Sequence, residues 1–267
     1  MLTDTHCHIH EANVSLASGD ITHKMWGKLG ADPNDMLARA TEKGVTRVIC
    51  VGCTLADSQR AVDFVQNHPG TWASIGIHPH EAGGGQGALD GIAALASKPK
   101  VVAVGEIGLD YFYGHATPKN QQKALRFQIE LALSRNLPII FHVREAFADF
   151  WPIFDEYQGI RGVLHSYTDS FANFEAAMTR GLYLGVNGIM TFTKVAEQLR
   201  IAKAIPLQKL LLETDAPFLT PKPLRGSVNE PAHVSLVAEF LADLRNETIE
   251  TIATQSTHNA QTLFSLD

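Results

Sequence analysis

The sequence predicts an α/β fold, a (β/α)8 barrel of the TIM type, and three observations lead to this prediction. Short apolar runs alternate along the chain with segments of helical periodicity, which is typical of parallel strands connected by helices. The length of 267 residues is close to the ~250 residues of such a barrel. Histidines and carboxylates directly follow several of the runs, at the end of the strands where barrels build their sites.

The apolar runs are the predicted strands. Each run is short and rich in Val, Ile and Leu, as strands buried on both faces are. The runs span residues 2–8, 45–53, 71–78, 100–109, 137–143, 162–167, 182–186 and 209–214. Together they supply the strands that a closed barrel of this type requires.

Amphipathic segments between the runs are the predicted helices. In residues 121–134, Leu125, Ile129 and Leu133 share one apolar face. The other predicted helices are 55–66, 171–179, 195–204 and a pair within 232–264, the second capped by Asn246 or Thr248. The long connection 11–33 after the first strand is either a loop folded over the site or an ordered insertion without a role there.

The composition is that of an ordinary globular chain. Hydrophobic residues make up 45% of it, charged residues make up 19%, and the formal net charge is −6. We expect one domain over residues 1–267. Proteins that hold nucleic acid by overall electrostatics are usually basic, so local groups must bind any anionic substrate.

The sequence contains no recognisable targeting signal or disulfide framework. Its N-terminus lacks the basic and apolar stretch of a signal peptide, and no apolar run approaches the ~20 residues of a membrane span. We therefore expect a cytoplasmic protein without a membrane partner. The three cysteines, Cys7, Cys50 and Cys53, form no even set, and we expect them to be reduced.

The first strand carries two histidines that face the same way. In Asp4-Thr5-His6-Cys7-His8, strand alternation sends Asp4, His6 and His8 to one face. Two imidazoles at this spacing can chelate one metal ion. The pair alone is weak evidence, so the prediction depends on the other strands.

The fourth strand contains a carboxylate, Glu106, within an apolar run. An unpaired buried charge is costly, so a cation should accompany it. A carboxylate can bridge two metal ions through its two oxygens. The alternative is a structural salt bridge between Glu106 and an arginine.

The fifth, sixth and eighth strands also end in polar side chains. His142 and His165 end the fifth and sixth strands, and each alone is equally typical of a structural, hydrogen-bonded histidine. Glu213 and Asp215 end the eighth strand on one face. Asp215 lies at the rim, where it can bind metal and accept a proton from water. For Glu213, one layer deeper, we expect a supporting contact.

Histidines and carboxylates therefore gather at one end of five predicted strands, which structural residues have no reason to do. The candidate metal ligands are His6, His8, Glu106, His142, His165 and Asp215. This set exceeds the ligands of a single catalytic zinc, so we predict two divalent cations, with Mg, Mn, Zn, Ni and iron as candidates.

The motifs that carry these residues resemble the signature blocks of TatD-type deoxyribonucleases, a branch of the amidohydrolase superfamily. The blocks are DTHCHIH, GEIGLDYF, FHVRE, LHSYT, LLETDAPFL and Asn229-Glu230-Pro231, in this order. The resemblance spans nearly the whole chain. It implies a metal-dependent nuclease. The chain departs from the family pattern at His10, where relatives commonly carry an acidic residue, and in the longer connection that follows.

The resemblance also implies roles for single residues. It places His6, His8, Glu106 and Asp215 around one ion, and Glu106, His142 and His165 around the other. His78, in Ile77-His78-Pro79-His80, resembles the family pattern as a residue that faces the substrate, although a structural position at the rim is an alternative. The basic stretch of the family before Asn229 retains Arg225.

We hypothesise hydrolysis of DNA phosphodiester bonds, at the end of a single strand, by a hydroxide held between the ions. Asp215 and Glu106 would be catalytic, and Arg225 with Arg144 would hold a phosphate. The aromatic residues Tyr111, Phe112, Tyr167 and Phe218 either stack on bases or pack within the protein.

Two other functions stay open at this point. The first is an amide or ester hydrolase such as an aminoacyl-tRNA deacylase, because the same ions polarise a carbonyl group. The second is a metal-binding protein without turnover. We expect a monomer.

Overall fold

Among the residues that the structure describes, eight parallel strands lie side by side in the order in which they occur in the chain. The computed structural model describes residues 1–12, 14, 21–30 and 32–266. The strands are β1 (Leu2–Cys7), β2 (Val45–Val51), β3 (Thr71–Ile75), β4 (Val101–Asp110), β5 (Ile139–Arg144), β6 (Gly162–Leu164), β7 (Tyr183–Val186) and β8 (Leu210–Leu212). The predicted (β/α)8 barrel and its eight strands are confirmed.

Several strands end earlier than predicted. β1 ends before His8, β3 ends at Ile75, and β8 ends before Glu213. At these points the backbone leaves the ladder, and the side chains that follow turn toward the mouth of the barrel. The polar residues of the motifs thus begin where regular strand pairing stops.

The barrel closes where β8 meets β1. The backbone N–H of His8 donates to the carbonyl of Ala216 at 2.8 Å. The buried carboxyl of Asp4 accepts from the N–H of Thr214 at 2.9 Å and lies 2.6 Å from its hydroxyl oxygen. The hydroxyl of Thr214 donates this second bond. Burial raises the pKa of Asp4 to about 8, although the hydrogen bonds that it accepts from Thr214 oppose the shift. These bonds hold the first strand and the last strand together.

Helices pack against the strands and carry much of the apolar core. They are α1 (Ile21–Leu29), α2 (Pro33–Glu42), α3 (Leu55–Asn67), α4 (Gly85–Leu95), α5 (Pro118–Ser134), α6 (Phe147–Asp155), α7 (Phe171–Thr179), α8 (Ala196–Ala204), α9 (Val234–Arg245) and α10 (Ile249–Phe264).

The helices that the sequence predicted are confirmed, with small shifts at their ends. α5 begins at Pro118 rather than Gln121, because Thr117 caps it and proline suits the first turn. Of the two candidates for the cap of α10, Thr248 accepts a backbone N–H of the first turn. Asn246 instead ends α9 in a left-handed conformation with a φ of 54°.

Four helices of the described residues were not predicted, and for α4 and α6 the sequence explains why. α4 contains Gly87 and Gly91, and α6 contains Pro152, which lower helix propensity. α1 and α2 lie in and directly after the connection 11–33, of which residues 13, 15–20 and 31 lie outside the described residues. In α1, Trp26 is 2% exposed and donates its indole N–H to the carbonyl of His8 at 3.1 Å. The described part of this connection therefore packs over the end of β1.

Two other predictions concern the cysteines and membrane-spanning segments. Cys7, Cys50 and Cys53 are free thiols, as expected. Within residues 1–12, 14, 21–30 and 32–266, every helix is too short or too polar to cross a lipid bilayer.

We predict that Gly108→Ala destabilises the barrel. Gly108 lies on β4 with a φ of 154°, and a Cβ there would lie 1.8 Å from the carbonyl oxygen of His142 on β5. Because two paired strands would have to separate, the free energy of unfolding should fall by about 3 kcal/mol or more. Gly83→Ala is the matched control, since no atom lies within 4 Å of its added Cβ. Urea unfolding measures both, and equal midpoints for the two variants would contradict the prediction.

Candidate functional site

Glu106, on β4, lies at the centre of a histidine cluster at the mouth of the barrel. Its Oε1 lies 2.8 Å from His142 Nδ1 and 3.2 Å from His165 Nε2. The same oxygen is 3.7 Å from His78 Nε2, and Oε2 is 3.4 Å from His6 Nε2. Glu106 is 4% exposed. Its partners are imidazoles rather than the arginine of the alternative interpretation.

Asp215 extends this cluster on the side of β1. Its Oδ1 lies 3.4 Å from His8 Nε2 and 3.6 Å from His6 Nε2. The alternation of the first strand brings His6 and His8 to the same face, as the sequence predicted. The side chain of His6 therefore lies between the two carboxylates, Glu106 and Asp215.

Three imidazoles of the cluster have a further oxygen partner on their outer side. The pairs are His8 Nδ1 with the Val51 carbonyl at 2.9 Å, His142 Nε2 with Asp110 Oδ2 at 3.0 Å, and His165 Nδ1 with Glu213 Oε1 at 3.1 Å. An outer partner fixes the orientation of the ring and the nitrogen that faces inward. Glu213 thus makes the supporting contact expected of it.

The surroundings of His6 show whether this set of residues fits a metal ion. It is fully buried, and among the described residues neither of its ring nitrogens has a hydrogen-bond partner. A buried polar atom without a partner is costly and needs a reason. Its Nε2 lies 3.4 Å and 3.6 Å from carboxylate oxygens, too far for good hydrogen bonds. A cation bound to nitrogen and oxygen at about 2.0–2.2 Å would satisfy these atoms together.

Groups of ligand atoms close enough to share an ion occur at several points of the cluster. Four groups that include residues of the cluster have all their atoms within 4.8 Å of one another: His6 with His8 and Glu106, His6 with His165 and Asp215, His78 with Glu106 and His142, and His8 with Cys53 and Asp57. Glu106 belongs to two of the four. The donor set of imidazoles and carboxylates is one that suits divalent transition metals.

The charges of the cluster hold its carboxylates ionised. Burial raises the pKa of Glu106, but the nearby histidines, His165 foremost, outweigh it and hold the pKa well below its usual range. Burial likewise raises the pKa of Asp215, and the hydrogen bond from His8 with the charge of His165 lowers it below its ordinary value. Burial lowers the pKa of His165, whereas Glu213 and Glu106 raise it well above normal. Divalent cations would replace the positive charge of the imidazolium groups.

The cluster lines an open cavity of about 570 Å³. Thr22 and His23, from the connection after β1, form part of its wall, together with Arg60 of α3. The described part of that connection therefore borders the site, as the first of its two interpretations, a loop folded over the site, requires.

A second polar group lies beside this wall. His10 Nε2 is 2.6 Å from Asp57 Oδ1, and Glu11 binds both His23 and Arg60. His10, Glu11 and Asp57 also have ligand atoms within 4.8 Å of one another. Their carboxylates already have cationic or imidazole partners, so this group forms a hydrogen-bonded wall. The departure from the family pattern at His10 is thus accommodated by the carboxylate of Asp57.

The structure brings together all six predicted metal ligands, His6, His8, Glu106, His142, His165 and Asp215, and places His78 among them. The two predicted phosphate-binding arginines lie elsewhere. The guanidinium carbon of Arg144 lies 4.0 Å from the centre of the Phe112 ring. Arg225 donates to the carbonyl of Thr220 at 3.1 Å and covers the ring of Phe192 at 3.7 Å. Neither arginine lines the cavity, and their role stays a prediction.

Sequence reasoning missed several residues of the site. Asp110 holds His142 and also lies 3.0 Å from His80 Nε2. Its spacing from Glu106 on β4 is even, so strand alternation could have placed both on one face. Cys53, which lies 3.8 Å from Glu106 Oε2, was expected only as a reduced cysteine at the end of the second predicted strand.

The sequence as a whole matches known proteins. The family model described as "TatD related DNase" matches residues 3–265. The "Uncharacterized metal-dependent hydrolase YabD" of Bacillus subtilis is 35% identical over 270 aligned positions, which cover 100% of both chains. The "3'-5' ssDNA/RNA exonuclease TatD" of Salmonella typhimurium is 36% identical over 244 positions, which cover 88% of this chain and 94% of that protein.

The fold matches solved structures as well. The crystal structure of YJJV, a TatD homologue from Escherichia coli, superimposes with a TM-score of 0.87 and 28% identity, covering 100% of this chain and 98% of the other. The match of the family model extends over nearly the full chain, and both curated relatives exceed the identity at which family membership is secure. This chain therefore belongs to the TatD-related DNase family of metal-dependent hydrolases.

Proposed function

We propose that this protein is a nuclease that uses two divalent cations to remove nucleotides from the end of a single strand of DNA. The observation that carries the proposal is the buried Glu106 carboxylate among four imidazoles, at the base of an open cavity. A relative named as a 3'-5' ssDNA/RNA exonuclease covers most of the chain and supports the choice of a phosphodiester substrate.

The proposed ligands divide into two sets that share Glu106. His6, His8 and Asp215 would join Glu106 around one cation, and His142 and His165 would join it around the other. The contacts of Glu106 support this division, since its Oε2 faces His6 and its Oε1 faces His142 and His165. The outer partners Asp110 and Glu213 would hold the second set in place.

Divalent cations at this site supply two effects, a lower pKa for water and stabilisation of the negative charge on a phosphoryl group. Asp215 would position the attacking water and accept its proton, because its carboxylate is ionised and faces the cavity. His78 also lines the cavity, beside His142, and would contact the phosphate.

The recessed position of the cluster favours the end of a strand over the middle of a duplex. Arg144 and Arg225 lie outside the cavity wall, so we assign them to phosphates beyond the one that is cleaved. The cytoplasmic location and the monomeric state stay predictions.

We predict that chelation abolishes hydrolysis and that added metal restores it. The buried imidazoles and carboxylates supply the donor set that the reaction would need. The test follows release of nucleotides from 3′-labelled and 5′-labelled single strands by apo protein reloaded separately with Mg, Mn, Zn or Ni. Elemental analysis of the active form should find two ions per chain, and one ion per chain at full activity would overturn the two-metal assignment.

We predict that Glu106→Gln removes both metal and activity. A neutral amide cannot bridge two cations, and it leaves the surrounding imidazoles without their central anion. We expect hydrolysis to fall by about 10³-fold or more, with loss of bound metal. Glu130→Gln, an exposed carboxylate on α5, is the control. Full metal content and activity in Glu106→Gln would exclude a central role for this carboxylate.

We predict a different result for Asp215→Asn. The amide keeps the size of the side chain but cannot accept a proton, so kcat should fall by about 10²–10⁴-fold while KM changes little. Metal content should stay above that of Glu106→Gln, because the other proposed ligands remain. Unchanged kcat in a variant that holds its metal would contradict the role of Asp215 as proton acceptor.

An amide or ester hydrolase, the alternative that the sequence left open, would give a different outcome in these assays. Metal-loaded protein that releases no nucleotide but deacylates aminoacyl-tRNA would overturn the nuclease proposal and establish that alternative. Metal-loaded protein that hydrolyses neither substrate class would establish metal binding without turnover.

A further inference from the structure

The loop that follows β4 exposes two adjacent aromatic rings beside the cavity. Phe112 is 50% exposed and Tyr113 is 52% exposed, and their ring centres lie 4.7 Å apart. Of the other aromatic residues considered from the sequence, Tyr167 is 5% exposed, Tyr111 donates its hydroxyl to Asp149 at 2.8 Å, and Phe218 lines the cavity itself. Exposing two large rings side by side forgoes the stabilisation that burial provides, so this surface is a candidate for binding.

An arginine lies against both rings. The guanidinium carbon of Arg144, at the end of β5, lies 4.0 Å from the centre of the Phe112 ring and 4.9 Å from that of Tyr113. We call Phe112, Tyr113 and Arg144 the aromatic platform. Its two rings are almost perpendicular, at 88°, so a base can stack on one ring at a time. The positive charge of Arg144 attracts the phosphate of a nucleotide.

The aromatic platform is continuous with the cavity. The ring of Tyr113 lies 5.3 Å from the ring of His80, which lines the cavity next to the histidine cluster. One buried carboxylate, Asp110, fixes both sides of this boundary. Its Oδ2 faces His80 and His142 at 3.0 Å each, and its Oδ1 accepts from the backbone N–H groups of Phe112 and Tyr113 at 2.9 Å and 3.2 Å.

These bonds fix the backbone of Phe112 and Tyr113 with respect to the histidine cluster. A strand bound with one phosphate at the cluster would therefore meet the rings at a fixed distance along its length. The chain carries a net charge of −6, so the capture of an anionic strand requires such local groups.

We propose that the aromatic platform stacks on a base of the nucleic acid strand, a short distance from the phosphate that is cleaved. This proposal rests on the proposed nuclease function and assigns a substrate subsite to it. Bases of a single strand can leave their stack and lie against protein rings, whereas those of a duplex are stacked and paired. The platform thereby selects a single strand over a duplex.

A fluorescent base analogue tests the proposal directly. Single-stranded oligonucleotides carry one 2-aminopurine at successive positions from the end, and their fluorescence is measured with the metal-loaded protein. We expect quenching at one or two positions inside the strand, and loss of this quenching in Phe112→Ala/Tyr113→Ala. Quenching that is the same in the double variant, or absent at every position, would overturn the proposal.

Kinetics provide the second measurement. The double variant should raise KM for a single strand by about tenfold, as expected for the loss of base stacking, with a small change in kcat. Its hydrolysis of bis(p-nitrophenyl) phosphate, which has no base, should match the wild type. Phe112→Trp/Tyr113→Trp should restore binding of the strand. Ile249→Ala, an exposed apolar residue on α10, is the control for the loss of apolar surface.

An abasic site separates this proposal from the proposed function. In the wild type, removal of the base at the quenched position should weaken binding as much as the double variant does, and the two changes together should add nothing further. A wild type that degrades single strands but is indifferent to abasic sites would overturn the platform and leave the nuclease standing. A wild type that hydrolyses no phosphodiester would overturn the nuclease itself.

Discussion

The buried charge of Glu106 is the constraint on which the rest of this structure depends. A carboxylate at 4% exposure loses the hydration that stabilises its ionised form, and positive or polarisable partners must replace it. Four imidazoles provide that compensation, and they come from β1, from β5 and from the segments after β3 and β6. Only a fold that directs the ends of these strands to one point can assemble such a set, and the closed parallel barrel does so.

Further contacts connect the histidine cluster to the loops around it. His142 and His165 each face Glu106 with one ring nitrogen and a second carboxylate, Asp110 or Glu213, with the other. The outer carboxylates in turn accept backbone N–H groups, of Phe112 in the first case and of Ser166 in the second. The loops after β4 and β6 are thereby fixed with respect to the cluster. The same hydrogen bonds thus orient the imidazoles of the cluster and hold the two loops in place.

The sequence predicted the parts of this arrangement that follow from strand geometry. Alternation within a strand placed His6 and His8 on one face, and the parallel order of the strands placed His142, His165 and Asp215 at one end. The contacts that long, flexible side chains make could not be predicted in this way. Arg144 and Arg225 were expected at a phosphate, but each lies against aromatic rings that periodicity could not place near it.

The missed helices illustrate a second limit. α6 contains Pro152 and α4 is rich in glycine, so local propensity argues against both, and packing against the barrel decides the outcome. The helix α1 packs against residues near the end of β1, and one of these contacts is the bond from the indole N–H of Trp26 to the carbonyl of His8. No local pattern encodes that contact, because it joins an insertion to the end of the first strand.

The balance of charge at the mouth of the barrel connects the metal site to the capture of substrate. Arg60, which borders the cavity, binds Glu11, and the carboxylates Asp57, Glu106 and Asp215 line the same wall. Without divalent cations this surface would repel a phosphate, except where the imidazoles carry protons. Two cations would make the electrostatic potential at the centre of the cavity positive. Arg144 lies outside the cavity, so its charge is present whether or not the cations are bound. Attraction of an anionic strand at the centre is thus coupled to metal binding, and attraction at the rim is independent of it.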